Sequence, residues 1–282
     1  MPRLFSSWLP CVLAGGMILS PSAALADKET ALRAFGPGER LVYDIRYLGM
    51  SAGTGVMEVK PAEILGGQQV YPIVSTAQSN DMVSLFYPVN DRVESRIDVA
   101  ALYSHRIDIR QHQGKKRREK SITFDQVRHI AVQQKNGRET SFPIPPAVQD
   151  SLSSLYFFRN QTFPPAGQSV FIPVHESEKN WNLEVRILGR EPVTTPVGRF
   201  DTVKVQALLR YKGIFLDEGD VFLWMTDDIH HLPVRIRSHI KIGTIVATLI
   251  SRRDGVLPAT RQESAPSTSR ASLPSDSSKR PE

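Results

Sequence analysis

Two carboxylates and two imidazoles fall within five residues at Asp227-Asp228-Ile229-His230-His231, and these are the donor types that hold zinc or another divalent ion. Neighbouring side chains on an extended chain point to opposite faces, so convergence on one ion needs a tight turn and a distant further ligand. The run reads instead as a polar connection between the strand-like residues 222–225 and 234–236, in keeping with the turn preference of Asp. Ser151, Ser153 and Ser154 raise the question of a nucleophile, which requires activation by a histidine. There is no Gly-x-Ser-x-Gly elbow and no His-Glu-x-x-His, and His105, His112, His129, His175 and His239 stand in no partner motif. Asp150 is expected to cap a helix here, with the serines solvated. Glu176 and Glu178 form too common a pattern to imply glycoside cleavage. No catalytic residue, cofactor or metal is assigned, and a hydrolase remains only as a third reading.

Gly49, Gly53 and Gly55 superficially resemble a phosphate-binding glycine loop. Such a loop must open a helix, whereas Val56-Met57-Glu58-Val59 continues as a strand, so a hairpin turn with close strand packing is expected. Lys115, Lys116, Arg117 and Arg118 follow Gly114 between two strands and decorate a hairpin tip. Their candidate role is contact with an anionic envelope surface, because clustered cations each add attraction to acidic headgroups. Among the aromatic residues, Phe86, Tyr156, Phe157 and Trp224 are the candidates to line an apolar ligand cavity inside a curved sheet.

The elements that must position these groups are strands. Over residues 234–242, Val234, Ile236, Ile240 and Ile242 share one face and Arg235, Arg237, His239 and Lys241 the other. Val203, Val205, Ala207, Leu209 and Tyr211 repeat the pattern. Residues 41–47, 103–109, 120–124, 169–174, 183–188 and 244–249 add further strands, broken by Gly, Pro and Asn. The expected fold is all-β and mainly antiparallel: a curved sheet, sandwich or barrel-like meander with one or two short covering helices. Those helices are residues 151–158 and residues 81–87, the latter stopped by Pro88. Both are aromatic and are expected to cover a sheet face or plug a barrel end.

Residues 1–26 have the order of an export leader: Arg3, a mostly apolar stretch, then Ala24-Leu25-Ala26. Pro10 and Gly15-Gly16 interrupt the run, so no transmembrane anchor is expected. The chain's single cysteine, Cys11, lies inside this leader, and Trp8-Leu9-Pro10 lacks the small residue that precedes a lipidated cysteine. A mature chain without cysteine forms no disulfide, thiolate metal site or thiol nucleophile. The expected organisation is a signal peptide at 1–26, a single β-rich domain at 27–258 and a disordered Ser/Pro-rich tail at 259–282, in the periplasm. The net charge of +6 is modest for 282 residues, and no nucleic-acid partner is expected.

Gly38-Glu39-Arg40-Leu41-Val42-Tyr43, Ala52-Gly53-Thr54-Gly55 and residues 86–95 (FYPVNDRVES) resemble the opening of an exported bacterial family known as domain of unknown function 3108. Residues 148–159 (VQDSLSSLYFFR), Thr195-Pro196-Val197-Gly198-Arg199-Phe200, Leu223-Trp224-Met225-Thr226-Asp227-Asp228 and Leu232-Pro233-Val234 resemble its later segments in the same order. The resemblance spans about residues 35–249, departing chiefly in the basic insert near Lys115 and in the tail. It implies a periplasmic, β-rich protein and carries over no activity. The leading functional expectation is a non-catalytic binder of an apolar or amphipathic envelope ligand such as a lipid. The alternative is a structural or assembly factor acting through protein contacts.

Overall fold

The computed structural model describes residues 33–211, 214–215, 221–239 and 243–257. The expected leader, the expected tail and Ile240 to Ile242 lie outside these residues, as do the side chains of Leu209, Tyr211 and Phe215. The chain runs β1 (Arg40–Tyr47), β2 (Met50–Val59), β3 (Glu63–Leu65), β4 (Gln68–Ser79), α1 (Asp81–Ser84), β5 (Asn90–Asp98), β6 (Ser104–Gln113), β7 (Lys116–Asp125), β8 (Ile130–Lys135) and β9 (Arg138–Pro143). It continues through α2 (Ser153–Arg159), β10 (Ser169–Glu176), β11 (Lys179–Thr195), β12 (Gly198–Tyr211), β13 (Ile214–Phe215), β14 (Val221–Thr226), β15 (Pro233–His239) and β16 (Thr244–Arg253).

All the strands join one antiparallel sheet, in the order β10-β11-β12-β14-β15-β16-β1-β2-β4-β5-β6-β7-β8-β9, with β13 on β12 and β3 on β4. The first and last strands meet in its middle, where Tyr43 lies opposite Leu249. Alternation makes each strand two-faced: Leu41 and Tyr43, Ile107 and Ile109, Ile122 and Phe124 point inward while their neighbours reach water. Gly53 and Gly55 permit close packing as expected, since a Cβ on Gly53 would stand 2.1 Å from the Gln78 carbonyl oxygen of β4.

The sheet is an open, curved ladder whose edges, β9 and β10, are drawn together without pairing to each other. The segment after β9 does the joining. Gln149 forms an isolated parallel bridge with Val174, donating to the Pro173 carbonyl (2.8 Å) and accepting from His175 N–H (2.9 Å). Side chains complete the seam: Lys120 to Glu176 (2.6 Å), Gln133 and Lys135 to Glu178 (3.0 and 3.3 Å), and Asn180 to the Pro143 carbonyl (2.7 Å).

Antiparallel connectivity sorts the connections between two rims. Turns at 48–49, 114–115, 136–137 and 177–178 and the α1 segment share one rim, as the registers Tyr47 to Met50, Gln113 to Lys116 and Gln78 to Asn90 show. Glu39, the β14–β15 connection and the entry to α2 occupy the other.

Among the described residues only α2 covers the sheet; α1 buries no residue. Tyr156 and Phe158 carry α2 into the core, where the Tyr156 ring meets Phe35 edge-on at a centroid distance of 4.8 Å. The helix ends on Arg159, whose side chain is 0% exposed. Its guanidinium grips Glu39 through two bonds of 2.7 and 2.8 Å, donates to the Ala34 and His230 carbonyls, and lies over the rings of Phe35 and Tyr156. Burial by itself lowers the Arg159 pKa, but the Glu39 carboxylate reverses this and the net direction is upward.

Removing one partner leaves the other buried and unpaired, so Glu39→Gln should cost about 3–5 kcal/mol in urea unfolding. The double variant Glu39→Gln/Arg159→Met should recover part of that loss. At the seam, burial raises the Glu176 pKa, but the Lys120 hydrogen bond and charge together with the Ser177 hydrogen bonds outweigh this, and the net direction is downward. A carboxylate held down in the folded state stabilises above its unfolded value of about 4.5, and that contribution is lost as pH falls through the folded value. The melting-temperature gap between wild type and Glu176→Gln should therefore be full near about pH 7 and close toward about pH 3.

Candidate functional site

The β14–β15 connection consumes its own polar groups. Asp228 Oδ1 accepts from Thr226 Oγ1 (2.7 Å), His230 N–H (2.9 Å) and His231 N–H (3.2 Å), a local turn closed by the carboxylate. Asp227 pairs with Arg190 at 2.7 Å. His231 donates through Nδ1 to the Arg159 carbonyl (2.6 Å) and stacks on Phe163 at 3.9 Å. Among the described residues, no three His, Asp or Glu side chains converge as a metal site would require. The connection is a clamp on the end of α2, bordering a cleft of about 460 Å³.

The serines are structural too, though not in the expected way. Asp150 is fully buried and caps the turn that leads into α2, its Oδ1 accepting from Leu152 and Ser153 N–H at 2.7 Å each. Its Oδ2 accepts from Ser95 and Ser104 hydroxyls at 2.6 Å each. Burial pushes the Asp150 pKa up; the hydrogen bonds offset that only in part. The helix begins at Ser153, two residues later than expected, and Ser153 and Ser154 are buried rather than solvated. Ser153 Oγ accepts from the Asp150 N–H at 2.8 Å. His175 is buried beside Phe124 and Phe142, its Nδ1 2.7 Å from Asn180 Oδ1, with its pKa lowered chiefly by burial. It belongs to the seam.

The basic cluster is the sequence-derived candidate that stays open to solvent. The β6–β7 turn is Gly114-Lys115, while Lys116, Arg117 and Arg118 are the first residues of β7, so their side chains alternate between the two faces. All four are exposed, and among the described residues none is in an ion pair. The turn is anchored from below: Gly114 N–H donates to the Pro88 carbonyl (2.8 Å), Val89 bridges Gln113, and the Tyr87 ring lies where a Gly114 Cβ would stand.

The four candidate cavity residues do not share an opening. Tyr156 and Trp224 are buried in one core cluster, Phe157 is half-buried against it, and Phe86 is 86% exposed at the opposite rim. The Trp224 indole N–H donates to Glu191 and its ring lies among Lys204, Arg235 and Arg237. Tyr156 and Phe157 of α2 act as core, whereas Phe86 does not. Two features escaped sequence reasoning: the Glu39–Arg159 pair, whose partners lie 120 residues apart, and the exposure of Leu48, Met50 and Leu85.

Comparison with known proteins supports the fold. The crystal structure of a β-barrel-like protein of domain of unknown function DUF1849 from Brucella abortus matches 79% of this chain and 99% of its own, with a TM-score of 0.53 at 8% identity. A candidate lipoprotein from Parabacteroides distasonis and an exported-protein candidate from Bacteroides fragilis match over the same shares at 13% identity. Their TM-scores, 0.34 and 0.31, are too low to indicate a common arrangement. No curated protein matches the sequence. A family model described as "Protein of unknown function (DUF3108)" matches residues 42–250, nearly the whole sheet from β1 to β16, and the chain belongs to that family.

Proposed function

We propose that this chain is an exported, non-catalytic protein of the bacterial envelope that binds an anionic amphipathic component of that compartment. The observation that carries the reading is the contrast between the two kinds of polar residue. Asp150, Glu39, Arg159 and Asp228 are occupied by hydrogen bonds within the fold, which leaves them fixed as scaffold. Lys115, Lys116, Arg117 and Arg118 are exposed cations with no ion-pair partner among the described residues. Cationic clusters of this kind favour anionic surfaces and lose that attraction as salt screens it. The leader-like order of residues 1–26 supports export to the periplasm.

A second reading, an assembly factor acting through protein contacts, draws on β9. That strand is one edge of the sheet, and five of its six residues are exposed.

Protein purified from its own host without detergent, extracted with organic solvent and analysed by mass spectrometry, should carry anionic lipid enriched over the bulk envelope. Reproducible absence of lipid would favour the second reading.

A further inference from the structure

The rim that carries the basic turn also carries an unusual set of exposed apolar side chains. Met82, Leu85 and Phe86 of the α1 segment are 71%, 80% and 86% exposed, and Tyr87 follows them toward Gly114. Leu48 in the β1–β2 turn and Met50 at the start of β2 are 62% and 68% exposed. Large apolar residues scattered singly need no explanation, but six gathered at one rim mark a surface that meets another phase or partner.

These residues stand on a braced platform. Asn80 caps α1 by accepting from Val83 N–H (2.9 Å), while its own amide donates to the Ser51 carbonyl (2.8 Å) and its backbone N–H to the Ala52 carbonyl (2.9 Å). Those bonds tie α1 to the start of β2, beside the β1–β2 turn. At its other end the segment is tied to the basic turn through the bond from Gly114 to Pro88 and the bridge between Val89 and Gln113. Three connections far apart in sequence thus present one apolar and cationic face, and its geometry is set before any partner arrives.

We infer that this rim docks the protein on the surface of an anionic lipid bilayer. Met82, Leu85, Phe86, Leu48 and Met50 enter the boundary between headgroups and acyl chains, where aromatic and aliphatic side chains are most at home. Lys115, Lys116, Arg117 and Arg118 lie among the headgroups, within the roughly 8 Å over which charge acts at physiological salt. Charge complementarity selects this occupant: Glu119 is the nearest acid in sequence, Asp91 beside the turn is taken up by His112 N–H and Gln113, and among the described residues no acid forms an ion pair with the four cations. The docking rests on the binding reading above and names its partner as a membrane surface instead of a ligand held in a cavity. Because Glu39 and α2 lie at the opposite rim, the bilayer leaves the buried lock untouched.

The test is flotation of the full chain, exported and purified, with vesicles of phosphatidylcholine containing or lacking phosphatidylglycerol. Wild type should float with the anionic vesicles and remain behind with the neutral ones. Replacing Lys115, Lys116, Arg117 and Arg118 by Ser should weaken partitioning on the order of a hundredfold at low salt. The pair Leu85→Ser and Phe86→Ser should weaken it about tenfold, while Ile64→Ser and Val127→Ser at the opposite rim leave it unchanged. Phe86→Trp, a substitution at an exposed site that keeps the fold, should add emission that shifts to the blue and is quenched by brominated lipid only in anionic vesicles. Lipid found in the native protein without flotation would overturn the docking and leave the binding reading intact. Flotation lost in both rim variants, with no lipid recovered from native protein, would support the docking and overturn retention of a single ligand. Unchanged flotation of Leu85→Ser/Phe86→Ser, with no shift of Phe86→Trp, would overturn insertion of the rim.

Discussion

A guanidinium stripped of water is tolerable only where a carboxylate and several carbonyls replace the lost hydration, and Arg159 has that arrangement at the rim of the sheet that holds Glu39. Glu39 comes from the approach to β1, Ala34 from the segment before it, and the His230 carbonyl from the β14–β15 connection. Arg159 itself ends α2. The pair therefore demands that four separate parts of the chain be in register at once. A buried ion pair adds little net stability over apolar packing, but a mispaired one is expensive, so the cost falls on alternative arrangements. The clamp formed by His231 on the Arg159 carbonyl extends the same constraint to the backbone at the end of the helix.

That constraint matters because the sheet does not close on itself. Its edges, β9 and β10, remain separate ladders, held by the Gln149 bridge and by the Lys120, Gln133 and Lys135 contacts to the β10–β11 turn. A closed barrel is held by its own backbone hydrogen bonds, whereas an open curved sheet needs a filling that suits its curvature. Here α2 supplies the filling, through Tyr156 and Phe158, and Asp150 sets the angle at which it enters by capping the preceding turn while accepting from β5 and β6 serines. The Asp150 carboxylate, placed this deep, accepts four hydrogen bonds from within the fold.

The proposed docking surface lies at the other rim. The Asn80 cap and the Gly114–Pro88 bond hold short turns whose side chains would otherwise have no fixed relation. A rigid presentation lowers the ordering cost that binding must overcome.

Much of the architecture was legible in the residues alone. Period-two alternation at Val203, Val205 and Val234, Ile236 gives strand faces directly, because side chains on a strand alternate by geometry. The glycines at 53 and 55 announce close strand approach, and the Asp150 carboxylate announces a helix start, although the helix proper begins at Ser153. Lys115 to Arg118 were legible as a hairpin because Gly114 supplies the left-handed turn. What alternation cannot state is which other chain segment covers a given face. Phe86 and Phe158 sit in similar aromatic, helix-like contexts, yet one is 86% exposed and the other buried, because only α2 is drawn under the sheet by its long connection between β9 and β10. Glu39 and Arg159 carry no local signal of each other across 120 residues. Local periodicity determined the strands, turns and helix sites; tertiary structure decided the pairing of β1 with β16, the burial of Arg159 and the gathering of apolar and basic side chains at one rim. The physical reason is that solvent exclusion and charge pairing depend on distances through space, which spacing along the chain does not encode.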